Sequence, residues 1–158
     1  MNDEGIAQAF GAARRLQTYC IDQIVTSPLI RAVKTAEIVA AATTTPIAID
    51  DNLIELNFGN LEGQVITETM RAHNLKTVQD LVAILPPETE AWALLAKRGL
   101  RCVAGWLDAH PHATILFVSH DGLMQAMCEA LSGKWFYNRH GIPVRYAPTE
   151  TGWVVNEV

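Results

Sequence analysis

A chain of 158 residues with 49% apolar and 18% charged positions is long enough for one domain with a genuine core, spanning 1–158, and too short for two. It is too apolar for a disordered tail, and no apolar run approaches the length that crosses a membrane. The net charge of −5 argues against non-specific nucleic-acid binding, which needs a basic face, yet leaves room for a small local anion pocket. Cys20, Cys102 and Cys128 form no CxxC pair and are odd in number, so neither a disulfide framework nor a structural zinc site is expected. MNDEGIAQAF carries no basic stretch followed by an apolar one, so no export signal is read and a cytoplasmic setting is expected.

In chain order, Ile6, Phe10, Ala13 and Leu16 recur at helical spacing and predict a helix over Asp3 to Tyr19, capped by Asn2 or Asp3. It starts almost at Met1, with no strand before it to pack against. Ile21 to Val25 reads as a strand, and Ile30 to Ala42 as the next helix, with Ser27 as cap and Pro28 in the first helical position. Pro46 to Ile49 reads as a short strand, and Glu55 to Gln64, with two glycines, as a loop. Helical patterns cover Ile66 to His73 and Val78 to Ile84, before Pro86-Pro87 breaks the chain. Glu88 to Ala109 predicts a long helix, Ala113 to Val118 a buried strand, and Gly122 to Leu131 a helix capped by Ser119. The tail reads as strand, turn, strand: Val144 to Tyr146, Pro148 to Gly152, Trp153 to Val155. Wholly apolar strands alternating with helices indicate a three-layer α/β/α fold with a mostly parallel sheet.

Ligands of such folds gather beyond the carboxyl ends of the strands. Two strand-to-helix junctions therefore stand out: IVTSPLIRAVKTAE, with Arg31 in the first helical turn, and ILFVSHDGLMQAM, with His120 directly after the strand. Both aim helix N-terminal N–H groups at one sheet edge, and a guanidinium with an imidazole there suits a phosphate oxyanion. Taken singly, Arg31 reads as a solvated surface residue and His120 as a hydrogen-bonded structural histidine. Even so, a cation at a helix start is disfavoured by the helix dipole unless it has an anionic partner.

SPLIRAVKTAE resembles the SPLxRAxxTAE signature of the histidine phosphatase superfamily, the phosphoglycerate mutase-like fold. ELNFGNLEG resembles that family's acid-bearing loop, ExxxGxxEG, and FVSHDG its VSHGG motif with Asp121 in place of the first glycine. DEGIAQA resembles the LTxxGxxQA helix start, and GIPVRY with GW the closing hairpin. The five matches fall in the family's order and cover nearly the whole chain.

The resemblance implies a phosphomonoester hydrolase working through a phosphohistidine, acting on a small phosphorylated substrate, with no cofactor and no metal. Arg31 matches the arginine that clamps the phosphoryl group, and His120 the second pocket histidine, which donates to a phosphoryl oxygen. Glu55 matches the acid that protonates the leaving oxygen; without the motif it reads as a loop carboxylate in water. Glu62, in the same loop, is taken as structural. The NLEG loop leans toward phosphatase rather than phosphoglycerate mutase, and the substrate is left open because Val65 to Glu90 lies outside the motifs.

The family's nucleophilic histidine stands in an RHG motif that ends a strand before the LTxxGxxQA helix. Here Met1 falls at the start of that helix, which implies a missing strand and loop of about thirty to forty residues and a weak or inactive chain. Loss of a central strand leaves sheet edges unpaired, so self-association through that edge is expected, or its occupation by another segment such as the tail. Arg139-His140-Gly141 spells RHG, but the residues before it are poor in β-branched types and Gly141-Ile142-Pro143 fits the closing hairpin, so the match is read as coincidence. Three other readings remain. They are a phosphate- or partner-binding pseudo-enzyme, a metal-dependent hydrolase built on Asp108, His110, His112, His120 and Asp121, and a Cys128 nucleophile.

Overall fold

The computed structural model describes residues 1–158, the side chain of Val78 excepted. In chain order the elements are α1 (Asp3–Leu16), β1 (Gln23–Thr26), α2 (Ile30–Thr43) and β2 (Ile47–Ile49), then α3 (Ile66–Ala72), α4 (Val78–Ala83) and α5 (Trp92–Ala109). After these come β3 (Ile115–Val118), α6 (Asp121–Ser132), β4 (Val144–Thr149) and β5 (Gly152–Glu157). Short 3-10 turns at Asp51–Leu53 and Gly59–Leu61 punctuate the segment between β2 and α3.

β1 lies between β2 and β3, parallel to both, with Ile24 opposite Ile47 on one side and Leu116 on the other. Successive strand residues face opposite sides, and β1 uses this to build two cores. Ile24 packs with Ala12, Ala13, Leu16, Ala36 and Val39 of α1 and α2. Val25 packs on the other side with Leu95, Leu123, Ala126 and Met127 of α5 and α6, together with Leu53 and Leu56. The result is the α/β layering expected from strands that are apolar on both faces.

Several local expectations shift. α1 buries Ala9, Ala12, Ala13 and Leu16, whereas Phe10 stays 51% exposed and Ile6 38%. Small side chains let α1 approach α2 closely, and the larger apolar residues are turned aside. Asn2 caps α1 as expected, its side chain accepting from Gly5 N at 2.9 Å. The helix expected from Glu88 begins only at Trp92, because Glu88 to Ala91 is used to reach back toward the loop after β2: Glu90 N donates to Asn57 O at 3.0 Å.

β3 is an edge strand. Ser27 N donates to Val118 O at 2.9 Å, so by alternation the peptide groups of Leu116 and Val118 face β1 and those of Ile115 and Phe117 face outward. Among the described residues no strand pairs with that outer edge, and all four β3 residues are only partly buried. β4 and β5 form a separate antiparallel hairpin. It leans on α6, with Tyr146 Oη donating to Met124 O at 3.0 Å, and reaches α1 where Gly141 meets Gln8. A Cβ on Gly141 would stand 2.7 Å from Gln8 O, and its φ of +71° is a second reason for glycine there. Among the described residues no helix is long and apolar enough to cross a membrane.

Candidate active site

Because β1, β2 and β3 run parallel, their carboxyl ends open on one edge, and the three sequence-selected residues all follow from that edge. Arg31 stands in the first turn of α2, after β1; Glu55 is in the loop after β2; His120 is the residue before α6, after β3. The structure brings them together. The Arg31 charge acts on both His120 and Glu55, holding the first imidazole less basic and favouring the second group's carboxylate form. Arg31 itself is exposed, and its first-turn position puts a cation against the positive end of α2.

His120 is 6% exposed, and its Nε2 lies 2.7 Å from Ser27 Oγ. Burial, then the Arg31 and Arg98 cations, push its pKa down to about 4, so the imidazole is neutral near pH 7. Ser27 was expected to cap α2. Instead α2 starts from Leu29 without a side-chain cap, and Ser27 Oγ, fully buried, accepts from Leu29 N at 3.3 Å while it meets the histidine. Ser119, likewise expected as a cap, donates to Leu53 O at 2.8 Å and ties the end of β3 to the loop that carries Glu55. Both serines left the caps because the strand ends they occupy are packed against neighbouring segments, where each hydroxyl finds a closer partner, the His120 ring for Ser27 and the Leu53 carbonyl for Ser119.

Glu55 is partly buried between Leu53 and Leu56, which are 1% and 3% exposed and fix the loop in the core. Its Oε1 accepts from Leu56 N at 2.8 Å, and its Oε2 lies 3.4 Å from Gly122 N at the start of α6. Desolvation outweighs these bonds and raises its pKa, with Arg31 opposing the rise and Asp121 adding to it. Gly122 is required by the approach: a Cβ there would stand 2.5 Å from Glu55 Oε1. Glu62 accepts from Phe58 N at 3.0 Å, closing its own turn.

Sequence reasoning missed Arg98 and Glu90. Arg98 Nε and Nη2 donate to the two Glu90 carboxylate oxygens at 2.9 and 2.7 Å, and Nη1 donates to Asn52 O at 2.7 Å and Ile54 O at 2.9 Å. A signal existed: Arg98 sits on the same helical stripe as buried Leu95, Gly99 and Cys102, and a cation on an apolar stripe needs a partner.

The competing constellations do not assemble. His110 stacks on Trp106 at 5.6 Å between ring centres, His112 is exposed, and Asp121 accepts from Asn138 Nδ2 at 2.9 Å. Among the described residues no group of three or more His, Cys, Asp or Glu side chains converges as metal ligands. The Cys128 thiol is buried and donates to Lys134 O at 3.5 Å. Arg139 pairs with Glu157, and His140 lines a surface groove with Gln8, Arg14 and Arg15; no strand leads into this RHG, which forms a turn closed by Ile142 N to Arg139 O at 3.0 Å.

The family model of the histidine phosphatase superfamily (branch 1) matches residues 1–150. An uncharacterized phosphatase, PhoE, of Bacillus subtilis is 30% identical over 133 residues, covering 84% of this chain and 65% of that protein. A putative phosphoserine phosphatase 2 of Hydrogenobacter thermophilus is 29% identical over 132 residues, covering 82% and 64%. The chain thus spans just under two thirds of the length of these curated relatives. Among solved structures, a mycobacterial glucosyl-3-phosphoglycerate phosphatase complexed with VO3 superimposes with a TM-score of 0.83 at 21% identity, covering 98% of this chain and 84% of that one. A Bacillus anthracis phosphoglycerate mutase gives 0.77 at 18% identity, covering 99% and 80%. With the family model matched over residues 1–150, the chain belongs to the histidine phosphatase superfamily, branch 1.

Proposed function

We propose that this protein is a phosphomonoester hydrolase whose pocket is formed by Arg31, His120 and Glu55. The observation that carries the reading is the convergence of a guanidinium, a buried imidazole and a high-pKa carboxyl at one sheet edge. Each group has one task. Arg31 donates through its fork to two phosphoryl oxygens, and His120 donates an N–H to a third. Glu55, kept protonated more readily by burial, gives its proton to the ester oxygen as water attacks phosphorus and the P–O bond breaks; the alcohol leaves, the water oxygen stays on the phosphate, and the proton it sheds balances the one Glu55 gave. The resulting carboxylate is then held by Leu56 N and, more loosely, Gly122 N.

Hydrolysis through a phosphohistidine needs a further histidine aligned with phosphorus. His73 is exposed at the end of α3, His110, His112 and His140 stand in the other settings described above, and His120 is engaged with Ser27. General acid help is worth about 10²–10⁴-fold, far short of what phosphomonoester cleavage demands, so the 158-residue chain is expected to bind phosphate much better than it turns over. The test is an aryl phosphate assay beside vanadate binding, in this chain and in Arg31→Ala. Vanadate binding that Arg31→Ala abolishes supports the pocket, and turnover separates a phosphatase from a pseudo-enzyme that only binds. A chain that binds no vanadate and cleaves no phosphate ester sinks the reading.

The outward peptide groups of Ile115 and Phe117 lead to a second expectation, self-association through the β3 edge. Light scattering after size exclusion checks it; a monomer at every concentration tested rules it out.

A further inference from the structure

Glu55 lies on a loop rather than a strand or helix, and a carboxyl on a loop transfers a proton productively only if its backbone is fixed. Beside the core contacts of Leu53 and Leu56 and the Ser119 bond to Leu53 O, one side chain holds the loop's backbone at two further carbonyls. Arg98 Nη1 donates to Asn52 O and Ile54 O, and the second of these is the carbonyl of the peptide unit leading into Glu55. The remaining edge of the guanidinium is locked by both oxygens of Glu90, and Glu90 in turn grips the loop from its far side through its own N–H to Asn57 O at 3.0 Å. The two residues of this ion pair thus hold the loop on both sides of position 55, at 52 and 54 through the guanidinium and at 57 through the Glu90 backbone N–H. Both side chains are about four-fifths shielded, at 19% and 20% exposure, so the ion pair that orients the guanidinium is partly protected from water, while the two bonds to the loop carbonyls lie nearer the surface.

We propose that Arg98, locked by Glu90, is a positioning residue for Glu55: its guanidinium holds the carbonyls on either side of Leu53 and so sets the direction in which the acid faces the pocket. The inference rests on the reading of Glu55 as the acid of that pocket. Five donor positions on one planar group explain the choice of arginine. A lysine reaching the same place can serve the carbonyls or Glu90 but cannot present the fork that serves both. The charges facing Glu55 come from Arg31 on α2 and Asp121 on α6, and Arg98 is not among the groups that move its proton equilibrium. Loss of Arg98 thus reaches Glu55 through geometry, by letting the loop lift and the carboxyl hydrate.

The experiment is a carbon-detected NMR titration of the glutamate carboxyls, with Glu55→Gln to assign the resonance. It is run on wild type, Arg98→Met, Arg98→Lys and Glu90→Gln, with vanadate affinity measured on each. Glu55 is expected to titrate above the ordinary carboxylate range in wild type and to fall back toward it in Arg98→Met and Glu90→Gln, with Arg98→Lys failing to restore it. If Arg98→Met does not fold, Glu90→Gln, which keeps the cation and frees the fork, decides. A folded variant of either kind in which Glu55 titrates as in wild type overturns the proposal. Because the titration needs no turnover, the two readings fail separately: a wild type that binds no vanadate removes the phosphate pocket, whereas an unmoved Glu55 removes the brace alone.

Discussion

The two segments that meet at the pocket are held in opposite ways. Arg31 rides on the first turn of α2, exposed, its place fixed by the end of β1 and by a local run of backbone bonds. Glu55 sits on irregular backbone that is fixed by side chains distant in sequence: Leu53 and Leu56 in the core, Ser119 on Leu53 O, Arg98 and Glu90 around them. A cation that must meet an anion from solvent gains from staying hydrated and near the surface, whereas an acid that must keep its proton has to be shielded from water. Arg31 is held locally and Glu55 by tertiary packing.

Four measurements break or sharpen that contrast. Leu53→Ala should have the largest effect, about 3 kcal/mol of stability and roughly 6–12 °C in Tm by thermal melting, because it empties a fully buried site beneath the acid loop. A cost near zero would show that the loop is not anchored there.

The pH dependence of stability comes next. Folded His120 takes up its proton only near pH 4, whereas unfolded histidine does so near 6.5. In that window the unfolded chain binds more protons, so the contribution of His120, about 3 kcal/mol, is intact above pH 6.5 and lost as the pH falls toward 4. Urea titrations should show a shallower loss over this range in His120→Asn than in wild type; parallel curves would mean that the imidazole is not desolvated.

Arg31→Ala should weaken vanadate binding by about 100-fold, through loss of two charge-assisted bonds, and change stability by less than about 0.5 kcal/mol because the residue is exposed. An equal loss of binding and stability would contradict the view that the clamp is only locally supported.

Smallest is Glu55→Gln. A carboxyl whose folded pKa is raised favours the folded state below the ordinary value and disfavours it as the pH rises through the folded one. At pH 7 the neutral amide should therefore leave the protein as stable as wild type or more so, while it removes the proton donor. Calorimetry at pH 4 and pH 7 checks the sign: the variant's advantage must appear only at the higher pH.

Much of the architecture was legible in the chain. The apolar runs at Ile21 to Val25 and Ala113 to Val118 mark strands of the parallel sheet, although only the first is deeply buried and the second, at the edge, is half-buried throughout. Arg31 and His120 were legible for the same reason, since residues just past such strands must share an edge. What misled was local chemistry: Ser27 and Ser119 satisfy the rules for helix caps yet bond to His120 and Leu53. Phe10 satisfies the helical period yet lies outside the stripe that α2 covers. Propensity and spacing describe what a segment can do alone, and these three are decided by what packs against it.

The sequence by itself determined the layered fold and the sheet edge at which Arg31 and His120 stand, because these follow from periodicity and from the direction of strands. Only the tertiary structure decided how Glu55 is held. The raised pKa of Glu55, the Arg98–Glu90 lock and the close approach of Gly122 depend on contacts between residues far apart in the chain, from Glu55 to Gly122 and from Asn52 to Arg98. Desolvation and hydrogen-bond geometry are properties of assembled neighbours, and no pattern within one segment encodes them.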